Sequence, residues 1–161
     1  MAEDISERTN EHTHLSMEGF QAAKAGDASA QSSLAQLYAS GNGVTKDEEE
    51  AVRWYEKAAK QGNARGQTGL GLAYANGEGV EKNLKTAASW YQKAADQNNA
   101  FGLYLLGGAY ARAEGVDKNP KLATELFQKS ADLGLNLGQY KLGQAYFYGF
   151  GVDKDVDKAA F

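Results

Sequence analysis

Cysteine is absent from this 161-residue chain. That excludes disulfides, thiolate metal sites and cysteine nucleophiles, while leaving the compartment open. Histidine is scarce: His12 and His14 are the only two. They lie in a polar N-terminal stretch with no second cluster to complete a metal site, and the rest of the chain has no histidine for a Ser-His-Asp arrangement. Proline occurs once against 19 glycines, which points to helices broken by glycine turns rather than to a disordered linker. No block of lysine and arginine offsets the net charge of −4, so nucleic acid is not an expected partner. No apolar run approaches the roughly 18–20 residues of a membrane span. Polar residues, not a basic and then apolar leader, follow Met1. Ala2-Glu3-Asp4 would suit a mature N-terminus left by leader cleavage. The sequence leaves the compartment open between the cytoplasm and, if a leader has been removed, the bacterial periplasm.

What the chain does have is a period. Tyr38, Tyr74, Tyr110 and Tyr146 stand 36 residues apart, as do Leu34, Leu70, Leu106 and Leu142. The Gly-Val pairs at 43–44, 79–80, 115–116 and 151–152 keep the same step. So do Ala51, Ala87, Ala123 and Ala159, and Trp54-Tyr55 recurs as Trp90-Tyr91 and Leu126-Phe127. Such self-similarity is the signature of a stacked-repeat architecture. Each unit reads as two helices. Leu34, Ala35 and Tyr38 share one side of the first. Gly41-Asn42-Gly43-Val44 ends it, since glycine accepts the left-handed closing conformation. Asp47, Asn83, Asn119 and Asp155 can each cap the start of the second helix, and Pro120 suits its first position. The column Ala35, Gly71, Gly107, Gly143 places glycine inside helices at a cost of roughly 1 kcal/mol each, which predicts a tight helix crossing there. The fold expected is an all-helical, right-handed α-solenoid. A flexible tail spans 1–16 and a partial capping helix 17–27. Full repeats occupy 28–63, 64–99 and 100–135, with an incomplete fourth at 136–161.

These residues resemble the Sel-one-like repeat family, a relative of the tetratricopeptide repeats. The family pattern is A-x-x-x-L-G-x-x-Y, then G-x-G-V, then A-x-x-W-Y-x-K-A-A-x-x-G. The second copy reads Leu70-Gly71, Tyr74, Gly77, Gly79-Val80, Ala87, Trp90-Tyr91 and Lys93-Ala94-Ala95. The third departs at Ala113, which replaces the first loop glycine, and its loop is expected to differ in shape. The resemblance covers residues 20–161 and implies a fold and a binding style, not a partner. In the related tetratricopeptide geometry, part of each first helix lines an inner groove. That implies Ser29, Ser32 and Gln36 in the first copy and Arg65, Thr68 and Leu72 in the second. The third supplies Phe101, Tyr104 and Arg112, and the fourth Leu137, Tyr140, Gln144 and Tyr148. The partner-binding candidates are Arg65, Phe101, Tyr104, Arg112, Tyr140, Gln144 and Tyr148, because aromatics and arginine dominate binding hot spots.

Other groupings read as structure. Gly69, Gly71 and Gly77-Glu78-Gly79 lie within and after a helix, whereas a phosphate loop needs a strand before it and a helix after it. Asp47-Glu48-Glu49-Glu50 could meet calcium or a basic partner, but negative charge also complements a helix start. The function expected is a non-enzymatic protein-protein interaction module: a scaffold, adaptor or immunity-type inhibitor that takes a protein or peptide on its concave face. No cofactor or metal is expected. Two alternatives remain, a hydrolase of cell-wall-like substrates and a structural segment of a longer solenoid. The hydrolase reading comes from the family resemblance, and there it attaches to cysteine-rich variants. At the C-terminus only Val156–Phe161 come after Asp155, too few for a stable second helix. The apolar face carrying Tyr140, Leu142, Tyr146, Phe147 and Tyr148 is therefore expected to be covered by further residues, by a second copy of the chain or by the partner.

Overall fold

The computed structural model describes the backbone of residues 10–159 and the side chains of residues 17–159. The readings of His12, His14 and Phe161 fall outside the described side chains. Eight helices and no strand occur among the described residues: α1 (Asn10–Lys24), α2 (Ala28–Ser40), α3 (Glu48–Lys60), α4 (Ala64–Asn76), α5 (Leu84–Asp96), α6 (Ala100–Arg112), α7 (Pro120–Asp132) and α8 (Asn136–Tyr148). The helix before the first repeat starts at Asn10, earlier than the Met17 start expected from sequence. Each helix packs on its successors along the chain, so the fold is an α-solenoid of helix pairs.

The recurring columns are the core. Leu34, Leu70, Leu106 and Leu142 are buried, and so are Ala51, Ala87 and Ala123. The small-residue column is where the helices of one pair cross. A Cβ at Gly71 would run into the Tyr91 ring, and one at Gly107 into the Phe127 ring. In the first repeat that position is Ala35. There the ring of Tyr55 lies instead against Gly69 of the next repeat. Where the first position is glycine, the position matching Gly69 is large, Leu105 or Lys141. The rings of Tyr55, Tyr91 and Phe127 thus each find one small neighbour, at either of two places.

One Asx residue per repeat ties the pair together. The backbone N–H of Asp47 donates to the Tyr38 carbonyl at 2.9 Å, Asn83 to Tyr74 at 2.9 Å, Asn119 to Tyr110 at 3.0 Å and Asp155 to Tyr146 at 2.9 Å. The side chain of the same residue accepts from an N–H three residues on: Glu50 at 2.9 Å, Thr86 at 3.0 Å, Leu122 at 3.0 Å and Lys158 at 3.0 Å. One residue therefore fixes the loop to the first helix and satisfies an orphan donor of the second. The fourth copy of this clamp starts a short turn over residues 156–159.

The third loop corrects the expectation from Ala113. Ala113 sits at φ 57°, in the left-handed region where Gly41, Gly77 and Gly149 lie at 73°, 71° and 70°. Its N–H still reaches the Ala109 carbonyl, and the Asn119 clamp is intact. The surrounding hydrogen bonds hold the loop to the common shape against a left-handed cost of roughly 1–2 kcal/mol.

Two features were not foreseen from the sequence. Buried Gln31 and Gln67 each carry an amide that a glutamine of a second helix's end completes. Gln61 Nε2 donates to Gln31 Oε1 at 2.7 Å, and Gln97 Nε2 to Gln67 Oε1 at 2.8 Å. Leu103 and Leu133 take those places in the third repeat. The second feature is that the second loop glycine docks onto the preceding repeat. A Cβ at Gly79 would strike the Glu48 carbonyl, one at Gly115 the Leu84 carbonyl and one at Gly151 the Pro120 carbonyl. These carbonyls belong to the first residue of the preceding second helix, next to its Asx clamp. Gly43 has the same left-handed φ but open space around its Cβ direction. Gly43→Ala should therefore cost only the left-handed penalty, roughly 1–2 kcal/mol. Gly115→Ala should add about 1–3 kcal/mol of overpacking against backbone. Urea denaturation of the two variants measures the difference, and equal midpoints would remove the docking role of Gly115.

Candidate functional site

Successive first helices (α2, α4, α6, α8) touch one another, whereas the successive second helices α3, α5 and α7 do not. The stack therefore curves with the first helices on its inner side. Their exposed inner positions run along one face of each helix, for example Ser29, Ser33, Gln36 and Ser40 in α2. The second helices form the outer layer. There Lys57 lies 4.0 Å from the Trp54 ring centroid and Lys93 4.3 Å from that of Trp90.

Most of the sequence candidates lie on this inner layer, with one column corrected. Ser32 and Thr68 are buried, at 1% and 4% exposure. Their hydroxyls turn back to the Ser29 and Arg65 carbonyls at 2.9 and 3.1 Å. That column faces into the stack wherever another first helix comes next. Tyr104 belongs to it and is half-buried, stacked on Phe101 (centroids 6.0 Å apart, planes at 15°) and tilted against Phe127 at 6.2 Å. Tyr140 is the same position in α8, where it is 62% exposed. Arg65 is exposed and donates to Ser33 Oγ at 3.3 Å and to Gln36 Oε1. Gln144 donates to the Tyr140 hydroxyl at 3.0 Å and accepts from Lys141 at 3.3 Å. Tyr148 is 72% exposed and meets Phe147 edge to face at 4.9 Å. The seven candidates thus do not form one cluster: Arg65 stands apart near α2, Phe101 pairs with Tyr104, Arg112, Gln144 and Tyr148 share a cavity, and Tyr140 is bonded to Gln144 at its edge.

That cavity recurs at the 36-residue step. At the first seam a space of about 370 Å³ is lined by Phe20, Ser33, Gln36, Leu37, Ser40 and Arg65, among others. At the second, about 160 Å³ opens beside Tyr55, Gly69, Leu72, Ala73 and Asn76. At the fourth, about 420 Å³ is bounded by Arg112, Phe127, Lys141, Gln144, Ala145 and Tyr148. The positions 33, 36, 37 and 40 of the first repeat and their equivalents line all three, so each is the same notch beside a first helix, bounded by α1 at the first seam and by the preceding pair at the others. At the third seam these positions carry Leu105, Gly108, Ala109 and Arg112. There the guanidinium lies across Gly108: a Cβ on that glycine would be 3.2 Å from both terminal nitrogens. Glu114 holds it in a two-pronged bond, Nε and Nη2 each donating at 2.8 Å. Glu114 in turn raises the pKa of Arg112, and Arg112 lowers that of Glu114. Nearby, burial first and the Glu114 carboxylate second push the Tyr91 phenol up to about 12.

Charge is distributed unevenly between the layers. The four first helices carry Arg65, Arg112 and Lys141 and no aspartate or glutamate, although the chain as a whole is at −4. Among the described residues no cluster of three or more metal-ligating side chains occurs, and no helix is long and apolar enough to cross a membrane.

Helix pairs at a constant step, with the first helices as the inner layer and the second helices as the outer one, define an α-solenoid. The chain belongs to the Sel1 repeat family, whose profile matches residues 28–63, 64–99, 100–135 and 136–161. Proteins of this family are generally non-catalytic protein-interaction modules. The chain is similar to c5321, a protective antigen of uropathogenic Escherichia coli strains with an SLR fold. The two share 39% identity over 88% of this chain and 30% of that one, with a TM-score of 0.79. It is also similar to a Sel1 repeat protein from Oxalobacter formigenes: 36% identity over 97% of this chain and 64% of that one, TM-score 0.76. A third similar structure is Helicobacter pylori cysteine rich protein B, at 26% identity over 81% and 93%, TM-score 0.63. The chain therefore spans less than two thirds of the first two relatives. None of the curated proteins matches it.

The Arg112–Glu114 pair has a pH signature. Because the folded-state pKa of Glu114 is lowered from 4.5, the pair's contribution is fully present above that value. It is lost as pH falls through the lower folded value. Carboxyl NMR titration should find Glu114 still ionised at pH 4.5 when ordinary glutamates are half protonated, and Arg112→Gln should return its midpoint toward 4.5.

Proposed function

We propose that this chain is a non-enzymatic interaction module, a scaffold, adaptor or immunity-type inhibitor, that holds a protein or peptide on the inner face of its first helices. The observation that carries the reading is the exposure of Arg65, Arg112 and Tyr148 along one curved layer. Phe147 and Tyr148 adjoin each other on the surface, contiguous exposed apolar surface marks interaction sites, and aromatics with arginine supply most interface energy. The notches between repeats offer shaped recesses for a partner's side chains, while the cations guide acidic groups to them. Phe101 and Tyr104 contribute through a prearranged stack, which loses little rotamer freedom on binding. The family's general role as an interaction scaffold supports the same reading.

Copurification from the native source should give a stoichiometric protein partner. Tyr140→Ala and Tyr148→Ala should each weaken its binding by about 1–3 kcal/mol without loss of helical circular dichroism. Tyr104→Ala is a poorer probe, because it also removes the contact with Phe127. A partner whose affinity is unmoved in the Tyr140/Tyr148 double variant, but falls when Lys93 or Glu125 of the outer layer is changed, would sink the groove assignment.

A further inference from the structure

The recurring notch and the charge of the inner layer together narrow what the groove can take. We propose that the groove binds an acidic peptide segment in an extended, polyproline-II-like form with an apolar side chain at every third residue. In the same proposal, Glu114 stands on Arg112 in the place of a ligand carboxylate. The inference rests on the groove reading above and adds the chemistry of the ligand.

Three observations carry it. The first is charge complementarity: three cations and no acid on the inner helices of a chain that is otherwise acidic. On the helices themselves an acidic segment would find Arg65, Arg112 and Lys141 in three successive repeats, whereas Glu78 and Glu114, acids near the notches, stand in the loops beyond the helix ends, the latter already paired with Arg112.

The second is spacing. Successive first helices are in contact, and packed helix axes lie roughly 8–10 Å apart. A polyproline-II chain completes a turn in three residues at about 3.1 Å each, so like-facing side chains recur about every 9 Å. A β-strand repeats its face about every 6.6 Å and would fall out of step with the notches after one repeat. The notches have apolar surfaces, with Phe20 and Leu37 at the first seam, Leu72 and Tyr55 at the second, and Phe127 and Ala145 at the fourth. Each suits one apolar side chain per turn of such a segment.

The third observation is the filled notch. At the third seam Arg112 lies where the other repeats are open, and Glu114 clamps it with the two parallel bonds a carboxylate makes to a guanidinium. Both side chains reach solvent, at 59% and 39% exposure. A ligand carboxylate can therefore reach Arg112 and exchange with Glu114 without unpacking the core. The exchange trades one charge-assisted pair for another, so Glu114 weakens binding by competition and favours ligands that bring their own carboxylate to that position.

The test uses a capped synthetic peptide of about four Leu-Glu-Pro triplets, chosen to hold the polyproline-II form. Two controls accompany it: the Leu-Lys-Pro counterpart, and a shuffled peptide of the same composition that breaks the three-residue period. Titration calorimetry on the full chain should show the glutamate peptide binding at least about tenfold tighter than either control. Glu114→Gln should tighten it several-fold, and Arg112→Gln and Arg65→Gln should each weaken it about tenfold. Arg65 and Arg112 are exposed and Glu114 is partly so, and circular dichroism confirms that each variant is folded before titration. Equal binding of the lysine peptide, or of the shuffled one, overturns the proposal. So does an affinity that neither Glu114→Gln nor Arg112→Gln alone moves. Amide-shift mapping of whichever peptide binds separates this failure from that of the groove reading. Shifts on the inner helices with the wrong peptide overturn the ligand chemistry alone, and shifts confined to the outer helices overturn both.

Discussion

The structure depends on a single hydrogen-bonded residue repeated four times. Asp47, Asn83, Asn119 and Asp155 each use the backbone to hold the end of a first helix and the side chain to cap the next helical turn. The loop glycine of the next repeat then seats on the carbonyl beside that cap. Register is therefore passed from repeat to repeat through backbone contacts that tolerate no side chain. These backbone contacts run beside the buried apolar clusters that join neighbouring repeats, such as Ala87 and Tyr91 with Leu103 and Leu106. Neighbour-only contacts of this kind are how a solenoid of 36-residue units stays ordered without disulfides. The similarity to a cysteine rich protein at 26% identity is reached here with no cysteine at all.

Much of the fold was legible because a repeat states its constraints several times over. The Leu, Tyr, Ala and Asx columns have the same burial or bonding in every described copy. Gly71 and Gly107 admit an aromatic ring, as a glycine column inside helices implied. Departures from the pattern were harder to read. Ala113 looked like a change of loop shape, yet the Asn119 clamp and the preceding turn hold it in the left-handed conformation. A column says which residue sits at a place, but not how firmly the neighbouring hydrogen bonds impose that place.

The candidate site was legible in its layer but not in its details. Arg65, Arg112, Gln144 and Tyr148 fall on the inner side because the Leu-Gly-Tyr columns fix the helix phase. Ser32 and Thr68 were misplaced by that mapping, since their column turns toward the following first helix and only Tyr140 escapes burial. The notches could not be foreseen, because each is a space bounded by side chains from two repeats. The Arg112–Glu114 pair was hidden for a different reason. Its partners are two residues apart across a helix end, where one-letter periodicity carries no signal. The glutamine pairs at Gln31 and Gln67 were equally invisible: a buried amide is recognised only once its partner from the neighbouring helix is in view.

The central claim is that the inner first-helix layer, and not the outer one, is the working surface. Hydroxyl-radical footprinting of the chain with and without its copurified partner tests this most directly, since it reads side-chain exposure at every aromatic in a single measurement. Protection is expected at Phe101, Tyr140 and Tyr148, with Trp90 on the outer layer unchanged. Protection of Trp90 and its outer neighbours, with Tyr140 and Tyr148 as reactive in the complex as in the free chain, would contradict the account.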